Sequence, residues 1–202
     1  MKRLLPVLCL ILIASASNAQ VVQWATKVIE FSSELTPVQY AADHVRIGAE
    51  RAGRDWRTLD IGAWGVACVA EDRAAPRECV RVLVAFYIPA MPVEQVLRHG
   101  ITVEQTQPIF DAFASGDVER AIELTTPDLV EKLSFSGTPE DVVEQIKTNV
   151  VPAGMNHAIL SLCDPTLAEH WLGRPADYGN VPHMKDQLQL IHDRVMPQLR
   201  SA

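Results

Sequence analysis

Apolar residues return at helical spacing from Val21 to Leu35, with Val21, Trp24, Ala25, Val28, Phe31 and Leu35 sharing one side. The next stretch, TPVQYAADHVRIGAERAG, carries its own punctuation. Thr36 is placed to cap, Pro37 suits the first helical position, and Gln39 completes a capping box. Ala41, Val45, Ala49 and Ala52 form the expected buried face, and Gly53 is placed to end the helix. Then the period changes. In LDIGAWGVACVA both alternating sets, Ile61/Ala63/Ala67/Val69 and Trp64/Val66/Cys68/Ala70, are apolar or small. A strand dressed that way is buried on both faces, as in a parallel sheet covered by helices.

EDRAAPRECVRVLVAFYI predicts a helix with Asp72 as its cap and Cys79, Leu83 and Tyr87 on one side. From Met91 to Lys132 the pattern stays helical in pieces, broken at Gly100, Gly116-Asp117 and Thr126-Pro127. KLSFSG is a short strand or an extended link. TPEDVVEQIKTNV is a helix capped by Thr138, opened by Pro139 and boxed by Asp141, and MNHAILSL is a further strand. Beyond a loop with Gly173, Pro175, Gly179 and Pro182, a last helix carries Met184, Leu188, Ile191, Val195 and Leu199 as its core stripe. Alternating helices and strands make this an α/β chain with a parallel sheet. Two good strands and a weak one are few for such a sheet, because an unpaired buried backbone group costs about 1–3 kcal/mol. The first twenty residues, a partner chain or a larger barrel must complete it.

Composition changes this picture little. At 48% hydrophobic and 21% charged the chain can bury a core. A net charge of -7 argues against a nucleic-acid or anionic-membrane partner. The N-terminus matters more. Lys2 and Arg3, the apolar run Leu4 to Ala14 and the small residues around Ser17 to Ala19 match a secretory leader, with a buried strand as the competing reading. The run is shorter than the roughly 20 residues of a membrane span, so no stable span is expected after leader removal. The expected organisation is a signal-peptide-like segment over residues 1–20 and one domain over 21–202. Cys9 would leave with the leader. Cys68, Cys79 and Cys163 make no disulfide framework and read as buried free thiols.

Local chemical motifs are sparse. There is no G-x-G-x-x-G, no Walker loop and no G-x-S-x-G elbow. None of the six histidines has a familiar zinc spacing, so no metal is expected. The amides after Gly137-Thr138-Pro139 could face an anion, although plain helix capping explains the same residues. His157, Cys163 and His170 could meet near the last strand's end. A Cys163 nucleophile would need a lowered pKa, which the neighbouring Asp164 opposes. Trp64, between Gly62 and Gly65, suits a flat cofactor ring or, more simply, core packing.

Two blocks of the chain carry a resemblance. HVRIGAERAGRDWRTLDIGAWGVACVAEDRAAPRECVRVLVAFYI and FASGDVERAIELTTPDLVEKLSFSGTPEDVVEQIKTNVVPAGMNHAIL resemble the C-terminal part of the bacterial-luciferase-like family. That family comprises flavin- and deazaflavin-dependent oxidoreductases, including methylenetetrahydromethanopterin reductase. The resemblance implies a (β/α) TIM-type barrel with a helical insertion, in which LDIGAWGVACVA is the penultimate strand and the strand in MNHAILSL the last. Such barrels place chemistry at the carboxyl ends of their strands. Here those ends are Ala70-Glu71-Asp72 and Leu162-Cys163-Asp164, which makes Asp72, Cys163 and Asp164 the cofactor-binding candidates and leaves the catalytic residues unassigned. The cofactor implied is a deazaflavin of the coenzyme F420 type or FMN. It would serve hydride transfer or monooxygenation on a small-molecule substrate.

The family's first strands have no counterpart here, so the resemblance implies only the C-terminal part of such a barrel, with an incomplete sheet. A truncated reading frame accounts for this. The expected product is weakly active or inactive alone and need not hold the cofactor; a third reading is a homo-oligomer whose open sheet edges pair between chains. The competing reading is an exported, non-catalytic α/β binding or assembly module. The family implies the cytoplasm, whereas residues 1–19 imply export.

Overall fold

The computed structural model describes residues 36–200; the leader-like segment and the helix expected over Val21–Leu35 lie outside them. Helix α1 (Pro37–Arg51) begins at the capping box read from the sequence, with Gln39 N–H donating to Thr36 Oγ1 and Thr36 N–H to Gln39 Oε1. It ends as Gly53 suggested. Gly53 N–H donates to the Glu50 carbonyl and Arg54 N–H to that of Ala49, with Gly53 at φ 66°. The buried face is rotated from the expected one. Ala42 and Ala49 are buried, while Ala41, Val45 and Ala52 are exposed. Among the described residues α1 lies beside short turns at Trp56–Thr58 and Val151–Ala153, Val38 reaches the core, and the Arg98 guanidinium lies 3.6 Å from the centre of the Tyr40 ring.

Strand β1 (Gly62–Val69) leads into α2 (Ala74–Tyr87). The helical pieces follow in the expected order and with the expected breaks: α3 (Val93–Arg98), α4 (Val103–Ala114), α5 (Val118–Leu124) and α6 (Pro127–Leu133). Then come β2 (Ser134–Gly137), α7 (Pro139–Asn149), β3 (His157–Leu162) and α8 (Pro165–Leu172). The chain closes with α9 (Met184–Leu190), which runs through a π turn at Ile191–Val195 into α10 (Met196–Arg200). No helix among the described residues is long and apolar enough to cross a membrane.

All three strands are parallel, in the order β2-β1-β3. The strand whose sequence is apolar on both faces is therefore the one with neighbours on both sides, as its backbone groups require. β3 pairs with β1 from Gly62↔His157 to Ala67↔Leu162, so the two strands read as penultimate and last lie side by side. β2 covers only the carboxyl half of the other edge, from Val66↔Ser134 to Val69↔Gly137. Gly65 makes room there: a Cβ at this position would stand 2.7 Å from the Phe135 ring.

Helices cover both faces of this sheet. Val66 and Cys68 pack with α2, α6 and α8, while Ala63 and Val69 pack with α7 and the Ile191–Val195 turn. A closed barrel keeps its helices outside and fills its interior with strand side chains. The three described strands form an open parallel sheet with a helix layer on each face, which agrees with the expected α/β class and incomplete sheet. The architecture is an open α/β sandwich.

Two packing expectations are corrected. Trp64, read as a core residue, is 45% exposed and meets Tyr87 edge-on at 5.3 Å between ring centroids. The C-terminal stripe is shifted as well: Val195 is buried, but Leu188 and Met184 are exposed and Gln187 is buried in their place. The π turn widens the helical repeat, so the inward line runs through 187, 191, 195 and 199 at a constant spacing of four.

Candidate functional site

The carboxyl ends of the parallel strands bring three loops together. β1 ends in Ala70, Glu71 and Asp72; β2 ends in Gly137 and Thr138; β3 ends in Cys163 and Asp164. Ala70 N–H donates to the Gly137 carbonyl and Cys163 N–H to that of Ala67, so pairing extends past the last strand residues.

Asp72 and Asp164 both serve helix starts. Asp72 Oδ1 accepts from the N–H groups of Ala74 (2.9 Å) and Ala75 (2.8 Å) at the head of α2. Asp164 is the N-cap of α8. Its Oδ1 accepts from Leu167 N–H at 2.9 Å, and its Oδ2 accepts from Met184 N–H at 3.1 Å and faces His183 Nδ1 at 3.6 Å. One carboxylate thereby ties the start of α8 to the start of α9.

Cys163 is fully buried among sulfur neighbours. It shares this core with Cys68 and Cys79, all three free thiols with no exposure. Its Sγ–H donates to the Cys79 carbonyl at 3.6 Å. The hydrogen bond with the Cys79 thiol, then burial, push the Cys163 thiol well above its ordinary value, and the Asp164 charge adds to the rise. Cys79 is raised too: its bond to Cys163 acts downward, but its bond to Cys68 and burial prevail. A thiol in that setting supplies no nucleophile at neutral pH. His157 stands at the opposite end of β3, paired with Asp60 at 3.0 Å. Six residues of strand, about 20 Å, separate it from Cys163. His157 and Cys163 therefore do not meet, and His157 takes the ordinary hydrogen-bonded role that is the simpler reading.

The start of α7, the candidate anion site, is occupied by the protein's own carboxylate. Thr138 N–H donates to Asp141 Oδ2 at 3.0 Å, and Arg73 grips the same carboxylate through Nε (2.9 Å) and a terminal nitrogen (2.6 Å). Gly137, at φ 132°, permits this approach, because a Cβ there would lie 2.5 Å from Asp141 Oδ2. Burial pushes the Asp141 carboxyl upward, but the hydrogen bonds from Arg73 and Thr138 outweigh it and hold the group below its usual range. Alongside, Arg194 of the π turn bridges Glu71 (2.7 Å) and Glu140 (2.8 Å). These ion pairs join the β1 loop, the head of α7 and the C-terminal helix.

Gln187 closes what remains. It has no exposure. Its Oε1 accepts from Val69 N–H at 3.0 Å, and its Nε2 donates to the carbonyls of Cys163 (2.7 Å) and Pro182 (2.9 Å). One side-chain amide thus spans the gap between the ends of β1 and β3. The sequence offered no signal for this role, because the π turn that aims Gln187 inward is not legible in the apolar pattern. Arg73, Asp141 and Arg194 were equally unmarked as a set.

Two cavities among the described residues lie elsewhere. One of about 430 Å³ runs between β3 and the C-terminal helix, and one of about 230 Å³ lies among Ile88, Met91, Val96 and Phe110. Neither is lined by Asp72, Cys163 or Asp164. Among the described residues no group of three or more His, Cys, Asp or Glu side chains could hold a metal ion.

Comparison with known proteins places this geometry among relatives. A family model described as luciferase-like monooxygenase matches residues 11–157. The 5,10-methylenetetrahydromethanopterin reductase of Methanopyrus kandleri is 29% identical over 136 residues, which is 67% of this chain and 39% of that protein. The Archaeoglobus fulgidus reductase of the same name is 26% identical over 166 residues, covering 80% and 45% respectively. The solved coenzyme F420 dependent tetrahydromethanopterin reductase from Methanopyrus kandleri superposes with a TM-score of 0.65 at 26% identity, over 80% of this chain and 42% of that one. The chain spans less than half the length of the curated relatives it matches.

Proposed function

Because this chain belongs to the luciferase-like monooxygenase family of oxidoreductases, we propose that it is related to reductases that move a hydride between a deazaflavin and a small molecule, and that by itself it turns over weakly or not at all. The deazaflavin is favoured over FMN because the solved relative is named as coenzyme F420 dependent. The matched curated relatives name the pterin class of substrate. The single observation that carries the second half of the reading is Gln187. Its amide is bonded to backbone groups at the ends of β1 and β3, where this family's barrels would place a cofactor.

The described residues do not fit a flat tricyclic ring at those strand ends. Gln187 fills the gap, Arg73 and Arg194 are committed to carboxylates, and Cys163 is sealed under α2. No catalytic step is therefore assigned to Asp72, Cys163 or Asp164, each of which is held in a packing or capping role.

The test is direct. The purified full chain is titrated with coenzyme F420, and separately with FMN, while cofactor absorbance and fluorescence are followed. It is then assayed for deazaflavin oxidation with methylenetetrahydromethanopterin. The expected result is no saturable spectral change and no turnover above a buffer blank. Copurification of a yellow chromophore, or a saturable spectral change with multiple turnovers, would refute the proposal.

A further inference from the structure

Sheet edges are where a folded chain meets other chains, and the two edges here are unequal. β2 is four residues long, whereas β3 is six and, among the described residues, has no strand on its outer side. Edge strands are normally protected by lysine, by inward charge, by proline or by a bulge. The β3 sequence HAILSL has none of these; His157, at its first position, is its only ionisable residue.

Large apolar side chains stand on both faces of the sheet beside this edge, with Asn156, His157 and Arg200 as the polar members of the cavity on one face. On one face Ile159 (39% exposed) lies beside its register partner Trp64. On the other, Leu188 (54% exposed) and Met196 project from the C-terminal helix. The cavity of about 430 Å³ opens between that helix and the β3 side chains Ala158, Leu160 and Leu162. Large apolar groups therefore flank an edge that no other described strand covers.

We propose that this edge is an interface between two copies of the chain. β3 pairs antiparallel with β3 of the second copy across a two-fold axis normal to the sheet, which makes one continuous sheet. Such an axis keeps the faces aligned. The two C-terminal helices then face each other over the seam and seat Leu188 and Met196 above it, while Ile159 and Trp64 of both copies cluster beneath.

Charge selects this occupant. The whole chain carries -7, which resists contact between copies over most of its surface. The strip from Ala158 to Leu162 has no charge to repel its own copy, and a two-fold contact needs a surface that is complementary to itself. Size agrees as well. A strand about 20 Å long beside a helix about 25 Å long gives a footprint on the scale of the roughly 800 Å² per partner that stable interfaces bury.

The experiment is sedimentation velocity on the full chain over a dilution series, joined to hydrogen exchange of the β3 amides. The expected result is a dimer that dissociates on dilution, with β3 amides losing protection as it does. Ile159→Lys and Leu188→Lys alter side chains already exposed in the single chain, so each should keep its melting transition while raising the dimer dissociation constant at least tenfold. A monomer at every concentration overturns the proposal. So does a dimer that survives both substitutions. Concentration-independent protection of the β3 amides overturns it too, since the edge would then be covered by the chain's own residues.

Discussion

Replacing Gln187 by Leu keeps the volume of the side chain and removes its amide. Three hydrogen bonds disappear, from Val69 N–H and to the carbonyls of Cys163 and Pro182. Val69 and Cys163 have no exposure, so water cannot replace the lost partner. At about 1–3 kcal/mol for each orphaned buried group, Gln187→Leu should cost about 3–5 kcal/mol. That is a large part of the roughly 5–15 kcal/mol that holds a domain together. Urea unfolding followed by far-ultraviolet circular dichroism measures the loss, and the Val69 amide should exchange faster in the variant. Gln187→Glu sharpens the test. The introduced carboxyl accepts from Val69 N–H in either state, but donates to the Cys163 carbonyl only when protonated. Its folded pKa is therefore raised above the usual value of about 4.3. Stability should be nearest wild type below that pH and fall as pH rises through the raised value. A Gln187→Leu loss under about 1 kcal/mol, the net worth of one ordinary hydrogen bond, with Val69 still protected, would refute the bridging role.

Three further outcomes are expected. Burial lowers the His99 pKa to about 4, below the ordinary value of about 6.5. Its contribution is therefore complete above about pH 6.5 and lost as pH falls toward 4, and His99→Gln should flatten the urea midpoint across that window. Asp141→Asn should cost about 2 kcal/mol at neutral pH by weakening the Arg73 grip and the α7 cap; because the Asp141 carboxyl is held low, the wild-type advantage should persist above about pH 4 and vanish as pH falls through the folded value. Gly65→Ala drives a methyl to 2.7 Å from the Phe135 ring, a clash worth about 1–3 kcal/mol, and Phe135→Leu in the same chain should recover part of the loss in thermal melts.

Much of the architecture was legible because it rests on local rules. Thr36 and Thr138 cap helices where the sequence places them, and the breaks at Gly100, Gly116 and Thr126-Pro127 divide the helical run as read. The doubly apolar pattern of β1 correctly implied neighbours on both sides. What escaped depends on distant contacts. Whether Trp64 is covered is decided by what lies beyond Tyr87 and Ile159, and no local pattern encodes that. The inward turn of Gln187 follows from one π turn, which leaves the composition of its helix unchanged. The strand ends were rightly located as the meeting place of loops, but the residues that fill it come from three separate segments whose ion pairs have no spacing signature.

The burial of Cys68, Cys79 and Cys163 gives the protein an internal stopwatch. A maleimide or disulfide reagent outside the fold finds no sulfur here until the layer under α2 parts, so in a Cys9→Ser background the rate of modification becomes the rate of opening. Three reporters on β1, α2 and the end of β3 would then reveal whether the sheet and its helical cover come apart together or in stages.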